Sequence, residues 1–203
     1  MTSTGEREQS DRLTRGRWID AALDALVEQG IEGLRIDRLC RVLAVTKGSF
    51  YHHFARRDDL LSAVADYWAE TQPAEAAALV RSGSDDPIRQ LAAVTKLVAD
   101  RDIGRRDHAM RGWAAADERA AKAVKQADRQ VLGMLERILG TLGVPQDEVH
   151  PLARVLFFTA LGAHDAPALF DGRSRRSLSG YLLRLVQDRA GRPSGDVSRT
   201  SGG

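Results

Sequence analysis

The sequence is poor in cysteine, in aromatics and in long apolar runs. Cys40 is the one cysteine among 203 residues. That excludes an internal disulfide framework and a cysteine-based zinc cluster, and it fits a reducing compartment. The longest apolar run, Val155 to Ala163, is interrupted by Thr159 and falls far short of the ~20 residues that a membrane span needs. Met1 to Leu13 is polar and mixed in charge, without the apolar stretch of a secretory signal. A cytoplasmic chain with no membrane partner is therefore expected. Aromatics make up only 5% of the residues, which disfavours a pocket built to stack large flat ligands. His52, His53, His108, His150 and His164 show no His-Glu-x-x-His spacing, and no phosphate-binding glycine loop or nucleophile elbow occurs. His164-Asp165 has no third partner, so no enzyme activity, metal or cofactor is expected. An excess of one charge is also missing. Thirty basic residues stand against 28 acidic ones, and as a total this gives no hint of a nucleic-acid partner.

What is present is helical periodicity. Hydrophobic residues at 43% and charged residues at 29% are ordinary for a soluble globule, and a chain of this length buries roughly two-thirds of its unfolded surface. Ile19, Ala22, Leu23, Leu26 and Val27 follow helical spacing up to a stop at Gly30, and Leu60, Leu61, Val64 and Trp68 repeat it. Asp86-Pro87 reads as a capped helix start ahead of Ile88, Leu91, Thr95 and Val98. The longest pattern runs from Asp117 to Leu142 and stops at Gly143; a last stripe joins Leu178, Tyr181, Leu182, Leu185 and Val186. Period-2 strand patterns are nearly absent. The expected fold is all-α with about nine helices. Residues 1–10 and 190–203 read as disordered tails, 11–56 as a three-helix N-terminal domain and 57–189 as a larger helical domain.

The informative segment is Leu34 to Leu61. The stripe Ile36, Leu39, Cys40, Leu43 ends at Ala44-Val45, and a short amphipathic piece, Thr46 to Phe54, follows at once. Two short helices with so brief a break form a helix-turn-helix, whose second helix enters the DNA major groove and meets the bases with its N-terminal residues. Here those residues are Thr46, Lys47, Gly48 and Ser49, with Gly48 allowing close backbone approach. Phe50 and Phe54 can anchor the helix, leaving Tyr51 and His52 for phosphates. From Gly33 to Arg57 six basic residues face one acid, Asp37, so the window carries +5 and the rest of the chain −3. Such a patch is the footprint of a DNA reader.

Arg35-Ile36-Asp37-Arg38-Leu39-Cys40, Val45 through Phe54 and Arg57-Asp58-Asp59-Leu60-Leu61 together resemble the DNA-binding domain of the tetracycline-repressor (TetR) family. The resemblance covers about Arg15 to Trp68. Met110-Arg111-Gly112-Trp113-Ala114 and the long helix after it look like one subgroup of that family's ligand domains. The resemblance implies a homodimeric transcriptional regulator, usually a repressor. Such a protein binds a palindromic double-stranded DNA operator and is released by a small-molecule effector held in a C-terminal ligand-binding and dimerisation domain. By motif position Lys47, Gly48 and Ser49 would face the groove, while Thr46, Tyr51 and His52 would contact phosphate or flanking bases. Arg57 would take a phosphate contact that the family usually gives to lysine. The chain departs from the pattern at Arg35, where Ser or Thr usually caps the second helix, at Ala44, where the turn usually has Gly, and at Arg56, where Ser or Asn is usual. A lost cap costs about 0.5–2 kcal/mol, and an alanine at positive φ on the order of 1 kcal/mol. The two arginines are expected to exchange cap stability for phosphate contacts.

Val155 to Ala163 is apolar almost all round, so a helix there needs cover on two sides; with the last stripe it can form a four-helix dimer interface. Pro151 places the start of that helix near His150, or bends it. Pro73 is expected to kink the fourth helix. Candidates for the effector pocket are Met110, Trp113, Met134, Phe157 and Phe158, with His108, Asp128 and His164 as polar anchors, although each also reads as plain core or surface. Cys40 reads as a small core residue. The alternative function is an architectural or ligand-independent DNA-binding protein.

Overall fold

In the computed structural model, which describes residues 14–83, 86–99, 101–165 and 172–190, each apolar stripe becomes an α-helix. In chain order these are α1 (Arg15–Gln29), α2 (Ile36–Val42), α3 (Lys47–His53), α4 (Arg57–Gly83), α5 (Pro87–Ala99), α6 (Arg101–Ala114), α7 (Glu118–Thr141), α8 (Gln146–Asp165) and α9 (Gly172–Ala190). A 3-10 turn, Gly30–Leu34, joins α1 to α2. The described residues contain these nine α-helices and no strand. Both expected disordered tails fall outside the described residues, apart from Ala190.

The chain divides into two compact units. One takes Met1–Gln72 and Arg105–Ala127, the other Pro73–Gly104 and Asp128–Gly203. The first unit therefore reaches beyond 11–56 to include the first four turns of α4, the end of α6 and the start of α7. Its core joins Trp18 and Leu26 of α1, Leu39 of α2, Phe50 of α3, Leu60 and Val64 of α4, Met110 of α6 and Ala120 of α7, all at or near zero exposure. Trp18 meets Phe50 edge to face at 5.4 Å, and Phe50 stacks on Phe54 at 5.5 Å. Burying a phenylalanine contributes ~2–3 kcal/mol, so this aromatic group fixes α3 on α1. Gly33 lets the 3-10 turn lie against α1: a Cβ there would stand 2.4 Å from the Ala25 carbonyl oxygen.

Local signals explain the boundaries. Thr14 caps α1 by accepting the Arg17 N–H, and Asp86 accepts the Ile88 N–H ahead of α5. Asp117 does the same for the Arg119 N–H at α7. Helix α8 begins at Gln146 rather than near His150, directly after Pro145, whose carbonyl accepts the Glu148 and Val149 N–H groups. Pro151 lies inside it as the sixth residue. The missing bond concerns only the carbonyl of Asp147, an exposed residue that water can serve. Likewise α4 runs through Pro73 as one helix.

In the second unit α5 packs on α8 and α9, and α8 on α9, around Leu91, Ile138, Leu139, Ala153, Leu156 and Val186. Arg189 donates to Glu148 at 2.9 Å. Val155 and Phe158 of α8 and Tyr181 of α9 stay exposed. No helix among the described residues is long and apolar enough to cross a membrane.

Candidate nucleic-acid interface

The turn between α2 and α3 is a Schellman motif. Val45 N–H donates to the Cys40 carbonyl at 2.9 Å, and Ala44 N–H to the Arg41 carbonyl at 3.3 Å. The motif needs a left-handed residue, and Ala44 supplies it at φ 55°. This is the strained alanine expected from the sequence. The end of α7 provides an internal comparison. Val144 N–H bonds Leu139 and Gly143 N–H bonds Gly140 in the same pattern, with glycine at φ 77°.

That turn sets the first residues of α3 at the surface. Thr46 takes the cap position in extended conformation without a side-chain cap bond. Thr46, Lys47, Gly48, Tyr51 and His52 are exposed, the last four on one side of the helix, while Phe50 is fully buried. A Cβ on Gly48 would meet only Thr46 Oγ1, at 3.5 Å. That is ordinary van der Waals contact, so no described neighbour demands glycine there. Ser49 departs from its sequence assignment. It is 5% exposed and its hydroxyl has no partner, because it lies next to Phe50 on the core side of the helix. It is not presented to a groove as the free protein stands.

The basic residues fall into two groups. Arg35, Lys47 and Arg56 are well exposed, and each meets an acid: Glu32, Asp37 and Asp59 respectively. Lys47 Nζ lies 2.6 Å from Asp37 Oδ1. That hydrogen bond and charge hold the Lys47 ammonium above its ordinary pKa. Arg35 makes no side-chain cap bond for α2. The Arg56 N–H, by contrast, donates to Asp59 Oδ2 at 2.9 Å, which replaces part of the missing cap at α4. Arg57 turns inward: its Nε donates to the Leu34 carbonyl at 3.0 Å and its Nη2 to the Ile31 carbonyl at 3.4 Å. The phosphate contact assigned to it by motif position is thus replaced in the free protein by an anchor on the 3-10 turn. Burial pushes the Cys40 thiol up, as suits a core residue.

Sequence reasoning missed Arg15, whose guanidinium stands 4.9 Å above the Phe54 ring and adds a cation beside the end of α3. No motif flags it, since the contact spans 39 positions. It also missed Arg119, which reaches from α7 to Asp58 at the start of α4 at 3.2 Å while holding Asp117 at 2.9 Å.

The effector candidates divide between the units. Met110 and Trp113 are core of the first, Met134 and Phe157 core of the second. His108 and Phe158 are exposed, Asp128 is half-buried, and the His164 side chain lies outside the described residues. The indole N–H groups of Trp68 and Trp113 are buried without a hydrogen-bond acceptor. Trp18, also without one, at least meets the Phe50 ring. No cluster of His, Cys, Asp and Glu among the described residues could hold a metal.

The sequence model of bacterial regulatory proteins of the tetR family matches residues 19–64. The regulator SrpR of Pseudomonas putida, an HTH-type transcriptional regulator, is 43% identical over 51 residues, which are 25% of this chain and 24% of that protein. The matched stretch thus spans about a quarter of that relative's length. Among solved structures, a transcriptional regulator from Rhodococcus sp. Rha1 is similar with TM-score 0.71 and 22% identity, over 89% of this chain and 100% of that one. A TetR-family transcriptional regulator from Streptomyces coelicolor is similar with TM-score 0.67 and 23% identity, over 90% and 95%. These two similarities extend the shared fold to nearly the whole chain. Residues 19–64 thus match the DNA-binding segment of the tetR family of bacterial regulatory proteins, and nearly the whole chain shares its helical fold with solved regulators.

Proposed function

We propose that this protein is a transcriptional repressor that binds a palindromic operator as a homodimer and leaves it when a small molecule binds. The observation that carries the reading is the exposed side of α3, with Lys47, Gly48, Tyr51 and His52 following the exposed cap Thr46 around a buried Phe50. A helix so anchored can enter the major groove. The basic window around it supplies phosphate attraction in a chain whose total charge is close to zero.

The exposed Val155 and Phe158 of α8 and Tyr181 of α9, on two helices that pack together, support a homodimer through these helices of each copy, since large exposed apolar side chains call for cover. Two heads would then meet half-sites about 34–36 Å apart. The unsatisfied Trp68 and Trp113 N–H groups support an effector carrying a hydrogen-bond acceptor. The other proposed contacts in the unit that holds both tryptophans are Met110 and His108. The protein would work in the cytoplasm, associated with the nucleoid, and catalyse no reaction.

The test is binding-site selection from a random duplex pool, followed by footprinting and sedimentation. The reading expects one palindromic site and a species of twice 22.2 kDa. Sequence-blind binding would favour an architectural protein, and a stable monomer would remove the paired half-sites.

A further inference from the structure

Asp37 is the one acid between Gly33 and Arg57, and its carboxylate pairs with Lys47, the first residue of α3. The Asp37–Lys47 pair is formed at 2.6 Å although the two side chains are 66% and 62% exposed. Placement explains it. Asp37 stands in the first turn of α2, where the helix dipole favours an acid. The turn at Ala44 brings the start of α3 alongside. Lys47, at a helix N-terminus, is on the unfavourable side of the dipole and gains a counter-charge there.

With this reading of α3 as a DNA-contacting helix as its basis, we propose that Asp37 is a specificity-determining residue that stays on Lys47 in the DNA complex. An ammonium has three donors, and one bond to Asp37 leaves two for a guanine edge. Such a base contact discriminates about five- to 150-fold against a wrong base. Attraction to phosphate depends instead on net charge, which the carboxylate cancels. The pair therefore removes most of the sequence-blind contribution of Lys47 while retaining its directed hydrogen bonds. It also holds a flexible side chain in one orientation before DNA arrives. A carboxylate that merely competed with DNA and then let go would weaken specific and non-specific binding alike and leave their ratio unchanged.

The experiment compares the wild-type chain with Asp37→Asn, Asp37→Glu, Lys47→Met and the Asp37→Asn/Lys47→Met double variant. The probes are a random-sequence 30-bp duplex pool and the duplex that the wild-type protein selects from it. Asp37→Asn should tighten binding to the random pool, steepen its salt dependence by about one counterion, and lower the selected-to-random affinity ratio by about fivefold or more. Asp37→Glu, which can restore the pair, should recover the ratio. The double variant should discriminate no worse than Lys47→Met alone. An Asp37→Asn protein with an unchanged ratio, both affinities having risen together, would overturn the proposal. If the wild-type protein selected no sequence at all, the DNA-reading function itself would fail, a distinguishable outcome.

Discussion

The Nε of Arg57 donates to the carbonyl oxygen of Leu34 at 3.0 Å, joining the first residue of α4 to the turn that launches α2. A second bond, to Ile31, makes the contact a two-point anchor. The guanidinium that the motif would give to phosphate therefore holds the helix-turn-helix against the helix that follows it. Its neighbour Arg56 is the exposed one. Arg57→Ala should lower stability by about 1.5–3 kcal/mol, as expected for charged hydrogen bonds to partly buried acceptors. Arg56→Ala should leave stability within about 0.5 kcal/mol and reduce the salt slope of DNA binding by about one. Denaturant melts and a salt titration of each variant would check the division. A steep loss of salt slope in Arg57→Ala, with stability intact, would restore the phosphate role.

Ser49 is buried with an unpartnered hydroxyl. Removing an unsatisfied polar group from the interior should stabilise the chain by about 1 kcal/mol. Ser49→Ala is expected to melt higher while binding operator within about twofold of wild type. Loss of operator affinity with an unchanged melting temperature would show that Ser49 turns out to the groove on binding.

Ala44 occupies a left-handed position that α7 gives to Gly143. Ala44→Gly relieves the steric penalty but adds freedom to the unfolded chain. The net effect should be a gain of about 0.5–1 kcal/mol, read as a higher denaturant midpoint with an unchanged slope. A drop in midpoint would mean that the turn carries no strain.

Arg119 holds the Asp117 carboxyl below the usual carboxylate range, chiefly through their side-chain hydrogen bond. A group depressed on folding stabilises the fold above its ordinary pKa, and that stabilisation is lost as pH falls through the depressed value. Asp117→Asn keeps an oxygen for the helix cap and removes the titration. The variant should be less stable than wild type at neutral pH, and the two stability curves should converge in the acid range below the ordinary aspartate pKa. Parallel curves down to strong acid would contradict this role.

Much of the head was legible because its signals are local. The α1 stripe of Ile19, Ala22, Leu23 and Leu26 is buried as read, and the strain at Ala44 follows from the motif alone. Asp86-Pro87 starts α5 as expected. What escaped depends on distant contacts. Arg57 chooses between phosphate and Leu34 by the path of the 3-10 turn, and Arg15 finds Phe54 only after α1 and α3 pack. The hydroxyl of Ser49 suits a groove contact by chemistry, but its position beside Phe50 buries it in the free protein. Pro151 does not start the helix: the lost bond falls on an exposed Asp147, and α8 runs through the proline from Gln146. The effector residues stay illegible for a similar reason: methionine and aromatic side chains at helical spacing serve cores and pockets equally well.

The central claim is that α3 reads DNA and that Lys47 at its start takes part. Titrating wild type and Lys47→Ala against the selected operator duplex at fixed salt tests it most directly. The account predicts a loss of about 1–3 kcal/mol in binding with an unchanged melting temperature. Equal affinity of the two folded proteins would contradict it.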